Sequence, residues 1–273
     1  MKRSEGNEDI SICMIDGPIQ FSHPSLSGLK VLKTSSVDLQ RCNNSGSAAC
    51  KHGTFIASIL FGNRGSKAIS MAPKCTFALY PIFEENSAGI PITTPDILAE
   101  KIKTAIDDGV KIINLSLSLT SSNIIQQSVL WDIYDLAIRK GVIIVAAAGN
   151  QGEINSSFLL THNWIIPVIA CNKKGMVSTF SNLSPTIGKK GIMAPGIDIV
   201  GASSQTEGFV HLSGTSYAAP IITGTIALLW SLFPYAKSFE IITSVLSKRK
   251  KSIIPPLLNA EKAFNLLSNI MKK

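Results

Sequence analysis

The chain has 273 residues, 45% hydrophobic and only 16% charged, with a formal net charge of +8. Soluble domains carry about 25% charged residues, so this balance points to one large packed core and excludes a disordered or fibrous chain. The Lys and Arg residues are dispersed without interleaved aromatics, which argues against a nucleic-acid partner despite the basic excess.

No apolar run follows the basic residues at the N-terminus, so no secretory signal is expected. The longest apolar stretch, 221–233, contains Thr223, Gly224 and Thr225 and is shorter than the ~20 residues that cross a bilayer. A buried helix and no membrane partner are the expectation. Five cysteines (Cys13, Cys42, Cys50, Cys75, Cys171) include no C-x-x-C pair, which favours a reducing cytosol with mostly buried free thiols. Cys42 and Cys50, in the polar stretch RCNNSGSAAC, are the one plausible bridge.

Taken in chain order, an apolar run at 11–15 reads as a buried strand, followed by a helical pattern at 53–61 and a strand at 76–81. A helix over 95–108 opens on a Thr94 cap with Pro95 behind it and stops at Gly109. Next come a strand at 110–115, a helix over 122–140 stopped by Gly141, and strands at 142–148 and 164–170. Helices at 216–232, 238–247 and 259–271 complete the pattern. Such alternation predicts an α/β fold: a doubly wound, mostly parallel sheet with helices on both faces. One domain over 10–273 is expected, preceded by a short extension at 1–9. The one dense basic cluster, KRKK at 248–251, reads either as a solvated linker or as a dock for an acidic peptide.

Ligands of parallel sheets bind outside the carboxyl ends of the strands, so the residues just after each strand are candidates for chemistry. Asp16 follows the first strand, where a carboxylate can orient a histidine, although Asp there is often a turn former. His52 in KHGTFIASILFG is expected at a helix start, facing the strand ends. His23, His162 and His211 read as structural. In HLSGTSYAAPIITG, small residues surround Ser216 and a helix begins at once, aiming free N–H groups at any oxyanion formed there. Asn150 follows the run VIIVAAAG, and its amide is either an oxyanion donor or a turn residue.

Together, DG after the first strand, HGT, AAAGN and GTSxAxP resemble the subtilisin-like serine peptidases (family S8), over about residues 10–232. The resemblance implies Ser216 as nucleophile, His52 as general base, Asp16 as its orienting carboxylate and Asn150 as oxyanion donor. It implies neither cofactor nor metal, because the acidic and Asn-rich clusters of a Ca²⁺ cage are not recognisable. Ser116, Leu117 and Ser118, with Ala147, Ala148 and Gly149, are expected to form the substrate pocket. Ser118 and Leu119 stand where the family's substrate-pairing segment carries two glycines, which implies a narrowed specificity.

Only 15 residues precede Asp16, so a cytoplasmic enzyme without a pro-region is expected. DGPIQFSHPSLSG, MAPKCTFALYPIF and GIMAPGIDIVGA are similar to the cyanobactin-type precursor-peptide maturation proteases. Asp16 and His52 are 36 positions apart, without room for the inserted helical segment of the macrocyclising type, so the leader-cleaving type is the closer match. The expected function is a monomeric serine endopeptidase acting through an acyl-enzyme on a peptide substrate, with an acidic precursor peptide as its partner. A macrocyclising transpeptidase, a general intracellular protease and an inactive peptide-binding module are the alternatives.

Overall fold

A computed structural model describes residues 4–32, 41–83, 93–117, 124–155, 157–246 and 252–272, with side chains of the 124–140 helix described from Ser128 onward. Six parallel strands form the sheet: β1 (Ser11–Asp16), β2 (Thr76–Pro81), β3 (Ile112–Leu115), β4 (Ile143–Ala147), β5 (Ile165–Cys171) and β6 (Ile192–Pro195). Their order is β2-β1-β3-β4-β5-β6. The winding direction reverses between β1 and β3, and a crevice opens at such a switch point above the strand ends.

Helices α1 (Ala48–Phe61), α2 (Pro95–Asp107), α3 (Ile124–Lys140), α4 (Pro185–Lys190), α5 (Thr215–Leu232), α6 (Ser238–Val245) and α7 (Ala260–Ile270) surround the sheet. Successive strand residues face opposite sides. Ile12 and Met14 enter one core with Phe55, Ile222 and Ile226 of α1 and α5, whereas Cys13 and Ile15 enter the other with Leu98, Ile102 and Tyr134 of α2 and α3. Both faces are covered, which is why these strands read as unbroken apolar runs. The apolar run at 221–233 belongs mostly to α5, a helix buried along most of its length.

The observed helices follow local chemistry. Thr94 caps α2 by accepting the Ile97 N–H at 3.3 Å, with Pro95 in the first turn. The stop signals at Gly109 and Gly141 both have positive φ (77° and 70°). Other elements depart from the sequence reading, among them α1, which starts at Ala48, and α4, which was not expected. Strand β6 was not among the strands expected, and an antiparallel hairpin of β7 (Ile199–Ala202) and β8 (Phe209–Leu212) leads into α5. Cys13, Cys75 and Cys171 are buried free thiols as expected, but Cys42 and Cys50 are joined by a disulfide. The KRKK cluster at 248–251 lies outside the described residues.

Candidate active site

The ends of β1, β3 and β4 converge at the switch point. Asp16, fully buried, closes β1. Its Oδ1 accepts the Gly17 N–H at 2.7 Å and lies 2.7 Å from Nδ1 of His52. Pairing with a carboxylate assigns the proton to Nδ1 and leaves Nε2 as the lone-pair nitrogen. Burial of the ring favours its neutral form, but the Asp16 charge and hydrogen bond outweigh that effect and hold the His52 pKa above the ordinary imidazole value. Asp16 Oδ2 is buried with no hydrogen-bond partner among the described residues.

The His52 ring reaches Asp16 because two main chains touch. A Cβ on Gly17 would stand 2.1 Å from the Ala49 carbonyl oxygen, and one on Gly53 would stand 2.4 Å from the Gly17 carbonyl oxygen. Any side chain at either position would push α1 away from β1. Helix α1 begins at Ala48, capped by Ser47, whose Oγ accepts the Cys50 N–H at 3.1 Å. His52 therefore lies in the second turn of a longer helix, not at the start that the sequence suggested. Cys50, in the first turn, carries the bridge to Cys42 across a Cα–Cα distance of 5.7 Å.

Ser216 is the second residue of α5, whose Gly214 cap makes no side-chain hydrogen bond. Thr215 organises the turn. Its N–H and its hydroxyl both donate to Asn150 Oδ1 (2.8 and 3.0 Å), and its Oγ1 accepts the Gly149 N–H at 3.2 Å. With Oδ1 thus occupied, the carboxamide presents Nδ2 on the side of Gly214, where a Cβ would meet it at 3.4 Å. The Ser216 N–H has no acceptor among the described residues. Two donors therefore flank the nucleophilic turn at the positive end of a helix. Gly149 holds φ +102°, and Asn182 fixes the loop behind it by accepting the Gln151 and Glu153 N–H groups, each at 3.1 Å.

A second feature arises from Pro220. In an α-helix the carbonyl of Ser216 would accept the N–H of residue 220, but proline has none. Ser116 fills that role from β3's end: its Oγ donates to the Ser216 carbonyl at 2.9 Å. The Ser116 hydroxyl is itself held by Asn114 Nδ2 at 2.8 Å, and Asn114 Oδ1 accepts the Thr223 hydroxyl at 2.8 Å. All three of these side chains belong to buried residues, so each bond replaces water that cannot enter. In return the Ser216 hydroxyl donates to the Ser116 carbonyl at 3.0 Å. Its proton is turned away from His52 in this state.

Of the expected pocket residues, Ser116 and Leu117 follow β3, and Ala147, Ala148 and Gly149 end and follow β4, with all five buried. Leu117 and Ala148 pack into one apolar core and Ala147 into the other. Ser118 lies outside the described residues. Sequence reading missed Thr215, Asn114, Thr223 and Asn182, whose partners lie far along the chain. It also passed over Tyr217, whose ring packs 4.6 Å from Phe55 and 5.8 Å from His52 between centroids. Burial, with Asp16 nearby, raises the Tyr217 pKa to about 12, so the phenol stays neutral. The other histidines make structural bonds: His23 with Gly208 O and Ser25 N, His162 with Asp135, and exposed His211 with Asp198.

Comparison with known proteins identifies the family and the fold. The profile of the subtilase family, Peptidase_S8, matches residues 7–254. The chain is 31% identical to the thermophilic serine proteinase of Bacillus sp. (strain AK1) over 84% of its own length and 54% of the relative's. It is 30% identical to thermitase of Thermoactinomyces vulgaris, covering 81% of this chain and 74% of that protein. It thus spans about half the length of the first relative. Among solved structures, the prenylagaramide maturation protease PagA superposes with a TM-score of 0.84 at 28% identity, covering 98% of this chain and 96% of that one. The patellamide maturation protease PatA superposes with a TM-score of 0.80 at 29% identity, covering 97% and 98%.

Proposed function

Because the chain belongs to the subtilase family, we propose that it is a serine endopeptidase in which Ser216, His52 and Asp16 carry the chemistry and Asn150 stabilises the oxyanion. The observation that carries this reading is the 2.7 Å Asp16–His52 pair set against the first turn of α5, which holds Ser216.

The resting serine first leaves the Ser116 carbonyl, a turn about one bond that exchanges one hydrogen bond for another at a net cost on the order of 1 kcal/mol. Ser216 Oγ then attacks the scissile carbonyl while its proton passes to His52 Nε2, and Asp16 stabilises the imidazolium. Charge developing on the carbonyl oxygen meets Asn150 Nδ2 and the Ser216 N–H. His52 returns the proton to the departing amine, leaving an acyl-enzyme. Water, deprotonated by His52, attacks that ester, and His52 passes the proton to the departing Ser216 Oγ as the acid product leaves.

For the substrate, we infer a ribosomally made precursor peptide from which a leader is removed. PagA and PatA, named as maturation proteases, support that reading through their match over nearly the whole chain. The test is labelling of the folded protein by a fluorophosphonate probe, with the label lost in Ser216→Ala. Absence of labelling in the wild type would overturn the assignment. Mass spectrometry of products then separates the outcomes, since hydrolysis adds about 18 Da that a macrocycle lacks. Equal cleavage of unrelated casein and precursor peptides would mark a general protease instead.

A further inference from the structure

At the opposite end of the sheet a second cleft opens. It has a volume of about 690 Å³ and lies where the C-terminal ends of α2 and α3 meet the lead-ins to β3 and β4 and the segment joining α5 to α6. Four cations line it: Lys111, Arg139, Lys140 and Lys237. Among the described residues none of the four side-chain cations forms an ion pair with a carboxylate within 4 Å, although Glu240 accepts the main-chain N–H of Lys237 at 2.7 Å. The one acidic residue of the lining, Asp107, is paired with Lys103.

Helix electrostatics account for only half of this charge. Arg139 and Lys140 occupy the last turn of α3, where cations offset the negative end of the helix. Lys111 precedes β3 and Lys237 precedes α6, so neither is explained by a helix C-terminus of its own. Lys111 Nζ is held 5.2 Å above the ring of Trp230, which fixes a cation on the cleft wall. Ile138 and Phe239, both exposed, add apolar surface to the same cleft.

We propose that this cleft is an exosite for an acidic, partly apolar segment of the peptide substrate. The proposal rests on the peptidase reading and adds to it the chemistry of recognition away from the scissile bond. Carboxylates would meet the four cations and apolar side chains would meet Ile138 and Phe239. Ser216 and Trp230 lie near opposite ends of α5, about 21 Å apart at 1.5 Å rise per residue. An extended chain advances at most about 3.3–3.6 Å per residue, so a path over the surface needs on the order of 8–10 residues between cleaved bond and acidic segment. That spacing suits a long peptide and excludes a short one from using both sites.

Direct binding tests this without turnover. With Ser216→Ala protein, fluorescence anisotropy of a fluorescein-labelled peptide of six Glu-Leu repeats should report binding that weakens at least tenfold in the Arg139→Ala/Lys140→Ala/Lys237→Ala variant and falls steeply between 0.05 and 0.5 M NaCl, as screening of exposed charges requires. The matching Lys-Leu peptide should not bind. In otherwise wild-type enzyme the triple variant should hydrolyse a four-residue chromogenic substrate with kcat/KM unchanged within twofold, and the Glu-Leu peptide should not compete for it. Equal binding by the triple variant, or competition at the active site, would overturn the exosite. Equally tight, variant-sensitive binding of a twelve-base oligothymidylate would reassign the cleft to nucleic acid. Loss of all hydrolysis with binding intact would instead strike only the peptidase reading.

Discussion

The hydroxyl of Ser116 takes the place of the amide hydrogen that Pro220 lacks, donating to the Ser216 carbonyl at 2.9 Å. Proline inside a helix costs about 3 kcal/mol or more, partly through the hydrogen bond it deletes. Here that deletion is answered from β3, 100 residues away, which ties the nucleophile's main chain to the sheet.

A double-mutant cycle reads that tie. Ser116→Ala should strand a carbonyl among buried groups and lower stability by about 1–3 kcal/mol. Pro220→Ala, which restores an N–H, should recover part of the loss when combined with it. Denaturant midpoints of the four proteins measure the coupling, and strict additivity would mean that Ser116 does not substitute for the missing donor.

Thr215 is expected to act through Asn150. Asn150→Ala should lower kcat about 10²- to 10³-fold, a magnitude known from subtilisin. Thr215→Val removes the hydroxyl that donates to Asn150 Oδ1 and accepts the Gly149 N–H, while the Thr215 main-chain N–H still holds Asn150. It should lower kcat by about tenfold with KM little changed, as expected when a group serves only the transition state. A rise in KM at constant kcat would show that Thr215 shapes the pocket instead.

The pH profile follows from the Asp16–His52 pair. The general base must be neutral, and Asp16 holds the imidazole pKa above its ordinary value. Activity should therefore rise with pH along a limb displaced to the alkaline side of an ordinary histidine. Asp16→Asn removes the charge that stabilises the imidazolium, so the limb should move to lower pH while kcat falls by about 10⁴-fold. An alkaline displacement in Asp16→Asn would contradict the assigned pairing.

The Cys42–Cys50 bridge ties the lead-in to the first turn of the helix that carries His52, with a sequence separation of 8. Loop-closure entropy for that length is worth about 2–3 kcal/mol. Cys42→Ser should lower the melting temperature, and dithiothreitol should do the same to the wild type but not to the variant. Insensitivity of both proteins to the reductant would show that the bridge contributes no stability.

The architecture was legible because five of the six strands are apolar runs bounded by turn residues. Strand β6 escaped because Ile192–Pro195 has four residues and sits between Gly191 and Gly196, too short for a period to register. The start of α1 was hidden by Ala48, Ala49 and Cys50, small residues without helical periodicity, while its cap Ser47 lies in a stretch rich in turn formers. At the site, Asp16, His52, Asn150 and Ser216 stand in recognisable local motifs. Asn114 and Thr223 do not, since their partnership exists only where α5 crosses β3. An isolated Asn in the apolar run IINL was the available signal: a buried amide there requires partners on both its oxygen and its nitrogen.

The contact between Gly17 and α1 bears on how freely this chain can drift. A neighbour altered in a side-chain core can be absorbed by repacking, but main chain meeting main chain has nothing to turn aside. Libraries randomised at Gly17 and Gly53 should return glycine alone among active clones, while positions 12 and 14, whose side chains enter the core, should accept several apolar combinations. The separation of carboxylate and imidazole is thus a length written in backbone, inherited whole or lost.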